Sequence, residues 1–360
     1  MPCEDKWKSD LEFIRAFNEK AEQQRIPLSG SIDLTHRCNL RCVHCYLSGN
    51  AERRRTNHQE MSAGRIVSLL DEITEAGCLY LLITGGEPLL REDFPEIYRH
   101  ARTCGLVTSI FTNGTLLTDS LVELFEDMPP QLIEISLYGA TSSTYENITG
   151  VPGSYEKCLT AVTKLVERNI PVALKTILMT ANRHEFFAIE GIAKTFGLKF
   201  RFDAAIFPRI NGDKSPLRLR VPASEAIEKE FMDAERARRW VEYFQRSQGK
   251  LPTDKLYNCG AGLTGFHIDP YGYLQPCLMT NYIQHDLSTG SFQSGWYGII
   301  SSMRDKKTAT ITGCSTCESS HLCGFCPAFF QWENGAEDIY SEYLCSMGSC
   351  RLQLINDSVV

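Results

Sequence analysis

Cys38, Cys42 and Cys45 stand close together in the run Cys-Asn-Leu-Arg-Cys-Val-His-Cys, directly after an apolar strand-like segment. A structural zinc site normally takes four protein ligands, and no fourth cysteine is near. Three thiolates suit a [4Fe-4S] cube whose fourth iron is left open to a small molecule, which ranks iron-sulfur ahead of zinc and zinc ahead of unrelated thiols. A second segment, Thr84-Gly-Gly-Glu-Pro88, follows the next strand-like run. Paired glycines let a backbone approach a ligand closely, and Glu87 can accept hydrogen bonds from an amine; the plainer reading is a tight turn. Further on come Cys259, Cys277, Cys314, Cys317, Cys323, Cys326 and Cys345, with Gly272 before the second of them. Read as zinc, the pairs Cys314/Cys317 and Cys323/Cys326 are too closely spaced for the usual two-pair site, and seven thiols exceed one site.

The whole chain carries 15 cysteines in 360 residues. A chain this long can build its own core and shows no secretory signal, so metal or redox chemistry is a better reading than disulfides. Cys3, Cys78, Cys104 and Cys158 are scattered and read as structural thiols. Hydrophobic residues make up 43% and charged residues 22%, which excludes a disordered or low-complexity chain. A net charge of −7 argues against nucleic acid or an anionic membrane as partner, and a cytoplasmic location is expected.

Apolar β-rich runs alternate with amphipathic helical patterns from about residue 30. Expected strands are Ser31–Thr35, Tyr80–Thr84, Leu106–Thr112, Leu132–Leu137, Val172–Leu178 and Leu198–Ala204. Helices are expected over Ser62–Ala76, Pro95–Cys104, Asp119–Asp127, Ser154–Asn169 and Arg183–Phe196, with an extra one over 11–25. This pattern predicts an α/β fold, a partial (β/α)6 TIM-like barrel with its working face at the C-terminal strand ends, followed by a C-terminal cysteine-rich iron-sulfur domain. The expected division is an N-terminal helical extension (1–29), the barrel (30–206), a linker with a bridging helix over Ser224–Gln245 (207–255), the cysteine-rich domain (256–350) and a tail (351–360). Asp269-Pro-Tyr-Gly272 suits a turn between two strands, and the sparse apolar pattern around it predicts stability that depends on metal.

On these residues the chain resembles the radical S-adenosylmethionine (SAM) superfamily, over about 30–206. Cys38, Cys42 and Cys45 match its CxxxCxxC signature, with His44 before the last cysteine, and Thr84 to Pro88 match its Gly-Gly-Glu motif. The resemblance implies that a [4Fe-4S] cluster binds SAM and that an electron cleaves SAM to methionine and a 5′-deoxyadenosyl radical, which takes hydrogen from substrate. It also implies that Gly85, Gly86 and Glu87 contact the SAM amino group and Ser136 the ribose. Asn113 and Lys175 are further cofactor contacts, Lys175 facing the carboxylate. The later cysteines resemble the SPASM extension, which holds two auxiliary [4Fe-4S] clusters. By matching positions the first takes Cys259, Cys277 and Cys326, its fourth iron open or held by Cys350 or a carboxylate. The second takes Cys314, Cys317, Cys323 and Cys345. Gly324-Phe325 gives a two-residue spacer where the family has three.

Most SPASM relatives modify peptides, so the leading expectation is an enzyme that cross-links or otherwise matures a ribosomally made peptide. The alternatives are a radical SAM enzyme acting on a tetrapyrrole side chain in haem biosynthesis and a non-enzymatic zinc-binding module. Leu278 stands where the sulfatase-modifying relative has an aspartate base, which leaves the catalytic acid or base unassigned. The 37 residues before Cys38 are too few for a leader-binding module, so a separate small carrier protein is expected to present the peptide. Flavodoxin or ferredoxin is the expected electron donor, received by Arg53, Arg54 and Arg55.

Overall fold

A computed structural model describes residues 10–47, 59–247, 255–307, 314 and 317–358; the basic run from Arg53 to Arg55 lies outside them. Helix α1 (Asp10–Gln24) precedes six parallel strands: β1 (Ser29–Asp33), β2 (Tyr80–Thr84), β3 (Val107–Thr112), β4 (Leu132–Ser136), β5 (Val172–Ile177) and β6 (Lys199–Asp203). Between them the chain returns through α2 (Ala63–Glu75), α3 (Phe94–Thr103), α4 (Asp119–Asp127), α5 (Ser142–Thr149), α6 (Ser154–Glu167) and α7 (Phe186–Thr195). Parallel neighbours require such crossovers, and the strands pair in sequence order from β1 to β6. The result is the expected α/β partial barrel.

Local sequence explains these elements. In α2, Ser62 accepts a hydrogen bond from the Arg65 amide at 3.3 Å, and Ile66, Leu69, Leu70 and Ile73 are buried on one helical face. In β3, Ile110 joins the core between sheet and helices while Phe111 faces the barrel interior. The expected strand positions hold to within two residues, the largest offset being at β1. Helix α5 was not expected from the sequence.

The sheet does not stop at the barrel. The expected hairpin forms, with Asp269 Oδ1 accepting from the amides of Tyr271 and Tyr273 at 2.9 Å each. Its first strand, β7 (Gly265–Ile268), pairs in parallel with β1, placing His267 beside Ser31. β8 (Tyr273–Gln275) and β9 (His285–Asp286) then continue antiparallel, giving the order β6-β5-β4-β3-β2-β1-β7-β8-β9. The open edge of β1 is thereby covered, and the cysteine-rich region is joined to the barrel through backbone hydrogen bonds.

The single bridging helix expected over Ser224–Gln245 is instead two, α8 (Ala223–Phe231) and α9 (Ala234–Ser247). Asp233 breaks the run because its carboxylate accepts from the Arg236 amide at 2.8 Å and starts the second helix. Helices α10 (Pro327–Asn334) and α11 (Glu342–Ser358) pack Phe329, Phe330, Leu344 and Met347 against Phe186 and Ala204 of the barrel and Ala226 and Ile227 of α8. This second apolar cluster gives the cysteine-rich region more core than its sequence pattern suggested. Among the described residues no helix is long and apolar enough to cross a membrane.

Candidate functional site

The segment after β1 crosses the C-terminal ends of the strands and carries Cys38, Cys42 and Cys45. It is stitched down on both sides. On one side Leu34 donates to Thr84 O at 3.0 Å, Gly86 to Thr35 O at 2.7 Å and Glu87 to Arg37 O at 2.9 Å. On the other, Arg41 donates to Thr149 O at 2.8 Å and Val43 to Ile148 O at 3.0 Å, so the C-terminal end of α5 supports the cysteine loop. The sequence did carry a signal for α5: Thr141 is its N-cap and Gly150 its C-cap.

Gly85 and Gly86 make a close backbone approach within the protein itself. A Cβ on Gly85 would lie 2.3 Å from Thr35 O, and one on Gly86 would lie 2.2 Å from Arg37 O. Gly85 also has φ +133°, a conformation L side chains rarely adopt. These glycines clear space for the backbone that delivers Cys38, not only for a ligand.

The Glu87 side chain is fully buried, lies apart from the residues that line the cavity and is engaged internally. Its carboxylate accepts from Thr112 Oγ1 at 2.7 Å, Leu89 N at 3.1 Å and Asn113 N at 2.8 Å. Burial, opposed by these bonds, raises its pKa to about 7. The bond to Asn113 holds the end of β3, where the Asn113 amide reaches Asn39 Oδ1 at 3.0 Å and Cys38 Sγ at 3.9 Å. Asn113 therefore orients the cysteine loop.

The three thiols open onto a cavity of about 1040 Å³. Gly85, Gly86, Asn113, Ser136 and Lys175 line it, and so do Cys259 and Cys277 from the far side. This volume is at the upper end of the roughly 300–1,000 Å³ of small-molecule sites, room for a cofactor and part of a substrate together. His44 lines it as well, its ring edge-on to Tyr138 at 4.5 Å between centroids. Burial, and then Lys175, push His44 down to about 4, so its imidazole is neutral near pH 7. Its Nδ1 is buried with no hydrogen-bond partner among the described residues. Lys175 Nζ lies 3.2 Å from Glu134 Oε1 and 3.6 Å from the centre of the Phe111 ring. Burial lowers it to about 8 despite Glu134, which also takes both arms of Arg201 at 2.5 Å.

This donor set fits an iron-sulfur cluster with a bound small molecule. Three reduced thiols share one wall, and the Leu40 amide donates to Cys38 Sγ at 3.4 Å as cluster-binding loops do.

The later thiols fall into two groups. Burial, and then the charges of Cys277 and Cys259, push Cys326 up to about 11, and Cys277 is raised by burial and by Cys259. Cys323 is pushed up to about 11 by burial and then by Cys345, Cys314 and Cys317, while Cys345 is raised by burial and by Cys314 and Cys317. Cys259, Cys277 and Cys326 are thus neighbours, and so are Cys314, Cys317, Cys323 and Cys345. A cation held between such thiols would offset the repulsion among their thiolate charges. Cys350 packs against the apolar cluster of Phe329 and Met347.

One group went unnoticed in the sequence. Ser31 and His267 both line the cavity, and Ser31 Oγ lies 2.9 Å from His267 Nδ1. On the other side of the ring, Nε2 is 3.8 Å from Asp33 Oδ2, which also meets His36 Nε2 at 3.2 Å. Burial lowers the His267 pKa against the pull of Asp33. The array depends on β7 pairing with β1, which no local pattern announced.

A family model described as the radical SAM superfamily matches residues 32–192. Over 183 residues, 51% of this chain, the sequence is 32% identical to the AdoMet-dependent heme synthase of Methanosarcina barkeri, and the match spans 52% of that protein. Over 270 residues it is 26% identical to the PqqA peptide cyclase of Bradyrhizobium diazoefficiens, spanning 71% of this chain and 68% of the relative. The chain therefore spans about half to two thirds of the length of these curated relatives. Among solved structures, Streptococcus suis SuiB bound to the precursor peptide SuiA shares the fold, with a TM-score of 0.70 at 17% identity over 96% of this chain and 83% of that one.

Proposed function

We propose that this chain, whose residues 32–192 match the radical SAM superfamily, is an enzyme of the SPASM type that starts radical chemistry on a ribosomally made peptide. One observation carries the reading: Cys38, Cys42 and Cys45 share a single cavity with the Gly85-Gly86 segment and with Cys259 and Cys277. A [4Fe-4S] cluster and SAM held there would supply one-electron chemistry and the means to abstract a hydrogen atom from the substrate.

The chain's own residues hold and orient. Cys38, Cys42 and Cys45 ligate the cluster, Asn113 and the Leu40 amide fix the Cys38 sulfur, and Gly85 and Gly86 admit the loop. The free His44 Nδ1 accepts a hydrogen bond from the cofactor, Ser136 meets its ribose and Lys175 faces its carboxylate. Ser31 presents a hydroxyl to the substrate, and the neutral His267 behind it takes up a proton through Nδ1. Cys259, Cys277 and Cys326 hold one auxiliary cluster at the far end of the cavity, and Cys314, Cys317, Cys323 and Cys345 hold another.

The names of the PqqA peptide cyclase and of the SuiA-bound SuiB favour a peptide as the substrate. A small carrier protein that presents it and a flavodoxin or ferredoxin donor complete the reading. The identity to a heme synthase supports a second reading, a tetrapyrrole side chain. Deuterated candidate peptide and deuterated tetrapyrrole are each incubated with anaerobically reconstituted enzyme, SAM and reductant, with and without carrier. Deuterium in 5′-deoxyadenosine from a peptide supports the proposal; deuterium from the tetrapyrrole alone replaces it with the second reading.

A further inference from the structure

Away from the cavity, three donors of different chemistry meet on the outer surface of the barrel. His100 lies in the last turn of α3 and Cys104 is the residue that ends that helix. They are four residues apart, so the helical pitch sets both side chains on one face. The neighbouring helix α2 brings Asp71 between them: Asp71 Oδ1 is 2.7 Å from His100 Nε2 and 3.4 Å from Cys104 Sγ. The three ligand atoms all lie within 4.8 Å of one another. None of these residues lines the cavity.

We propose that Asp71, His100 and Cys104 form a binding site for a zinc-type divalent cation, separate from the iron-sulfur positions. One nitrogen, one sulfur and one carboxylate oxygen are the donors that zinc selects. Tetrahedral bonds of about 2.0 to 2.3 Å place neighbouring donors roughly 3.3 to 3.7 Å apart, a spacing these side chains reach by small rotations. A carboxylate and a thiolate together balance the charge of the ion. The C-terminal end of α3, where Cys104 N already bonds to His100 O at 2.9 Å, presents carbonyls and the negative end of the helix dipole, which favours a cation. Access is open, since the Asp71 side chain is 51% and that of His100 30% exposed. With three protein ligands, water or an outside donor takes the fourth position. Binding would clamp α2 to α3 and cover a thiol read from sequence as structural only.

The test uses the fully reconstituted holoenzyme, so that the cluster cysteines are occupied by iron. It is equilibrated with zinc chloride, freed of excess metal and assayed for zinc beside Asp71→Asn, His100→Gln and Cys104→Ser. Wild type should retain about one zinc per chain more than each variant, and zinc should slow iodoacetamide alkylation of Cys104 at least tenfold. Cobalt chloride in place of zinc should add a thiolate-to-cobalt absorption band that Cys104→Ser lacks. Cys104→Ser should form 5′-deoxyadenosine at the wild-type rate, showing that it is folded. Equal zinc in wild type and all three variants, with alkylation unchanged, would leave a hydrogen-bonded triad and overturn the proposal.

Discussion

Gly86 lies in backbone contact with Arg37: a Cβ added there would come within 2.2 Å of the Arg37 carbonyl oxygen. Because Arg37 precedes Cys38, the Gly-Gly segment and the cysteine loop form one unit. Gly86→Val should therefore displace Cys38 and cost the protein one cluster's iron and sulfide as well as its SAM cleavage. Iron analysis decides this. A variant with full iron content that fails only in SAM binding would restore the simpler view that these glycines serve the ligand alone.

Glu87 makes stability depend on pH. Its folded-state pKa of about 7 lies above the usual 4.5, so the folded chain holds that proton more tightly than the unfolded chain. Its contribution is complete below pH 4.5 and is lost as pH rises to 7, on the order of 3 kcal/mol. Glu87→Gln, which mimics the protonated acid, should remove that part of the slope. Denaturant unfolding at pH 5 and pH 7.5 measures it, and parallel slopes in the two proteins would contradict the burial argument.

Lys175 should contribute charge to SAM binding only while protonated. With its pKa lowered to about 8, the contribution is present at pH 7 and lost by pH 9. Titration calorimetry with SAM should show weaker binding for Lys175→Met at pH 7, by roughly 1 kcal/mol or fivefold, and convergence with wild type at pH 9. An equal gap at both pH values would mean that Lys175 serves only Glu134.

The two thiol groups should lose iron separately. Cys317→Ala should remove about four irons from the cluster shared with Cys314, Cys323 and Cys345 and leave the rest. Cys326→Ala should do the same at the position shared with Cys259 and Cys277. Iron and sulfide counts with electron paramagnetic resonance of the reduced proteins distinguish the two, and loss of both clusters from either substitution would dissolve the grouping.

Much of the barrel was legible because its signals are local. Ser62 caps α2, Ile66, Leu69 and Ile73 repeat at helical spacing, and each strand is a short apolar run. The cysteine loop was legible for the same reason, as three thiols within eight residues. The rest depended on long-range pairing. That His267 stands beside Ser31 follows from β7 joining β1, and that Glu87 turns inward to Thr112 and Asn113 follows from β2 lying against β3. Asp233 was hidden because a charged helical pattern continues through it, and its capping bond appears only in three dimensions.

The central claim is that Cys38, Cys42 and Cys45 are a cluster site for SAM chemistry. The direct measurement is 5′-deoxyadenosine formed from SAM and dithionite by anaerobically reconstituted wild type and by the triple variant Cys38→Ala, Cys42→Ala, Cys45→Ala, with iron and sulfide counted in both. Wild type should form 5′-deoxyadenosine, and the variant should form none while losing one cluster and keeping two. A wild-type protein that holds zinc without sulfide, or a triple variant that still cleaves SAM, would contradict the account.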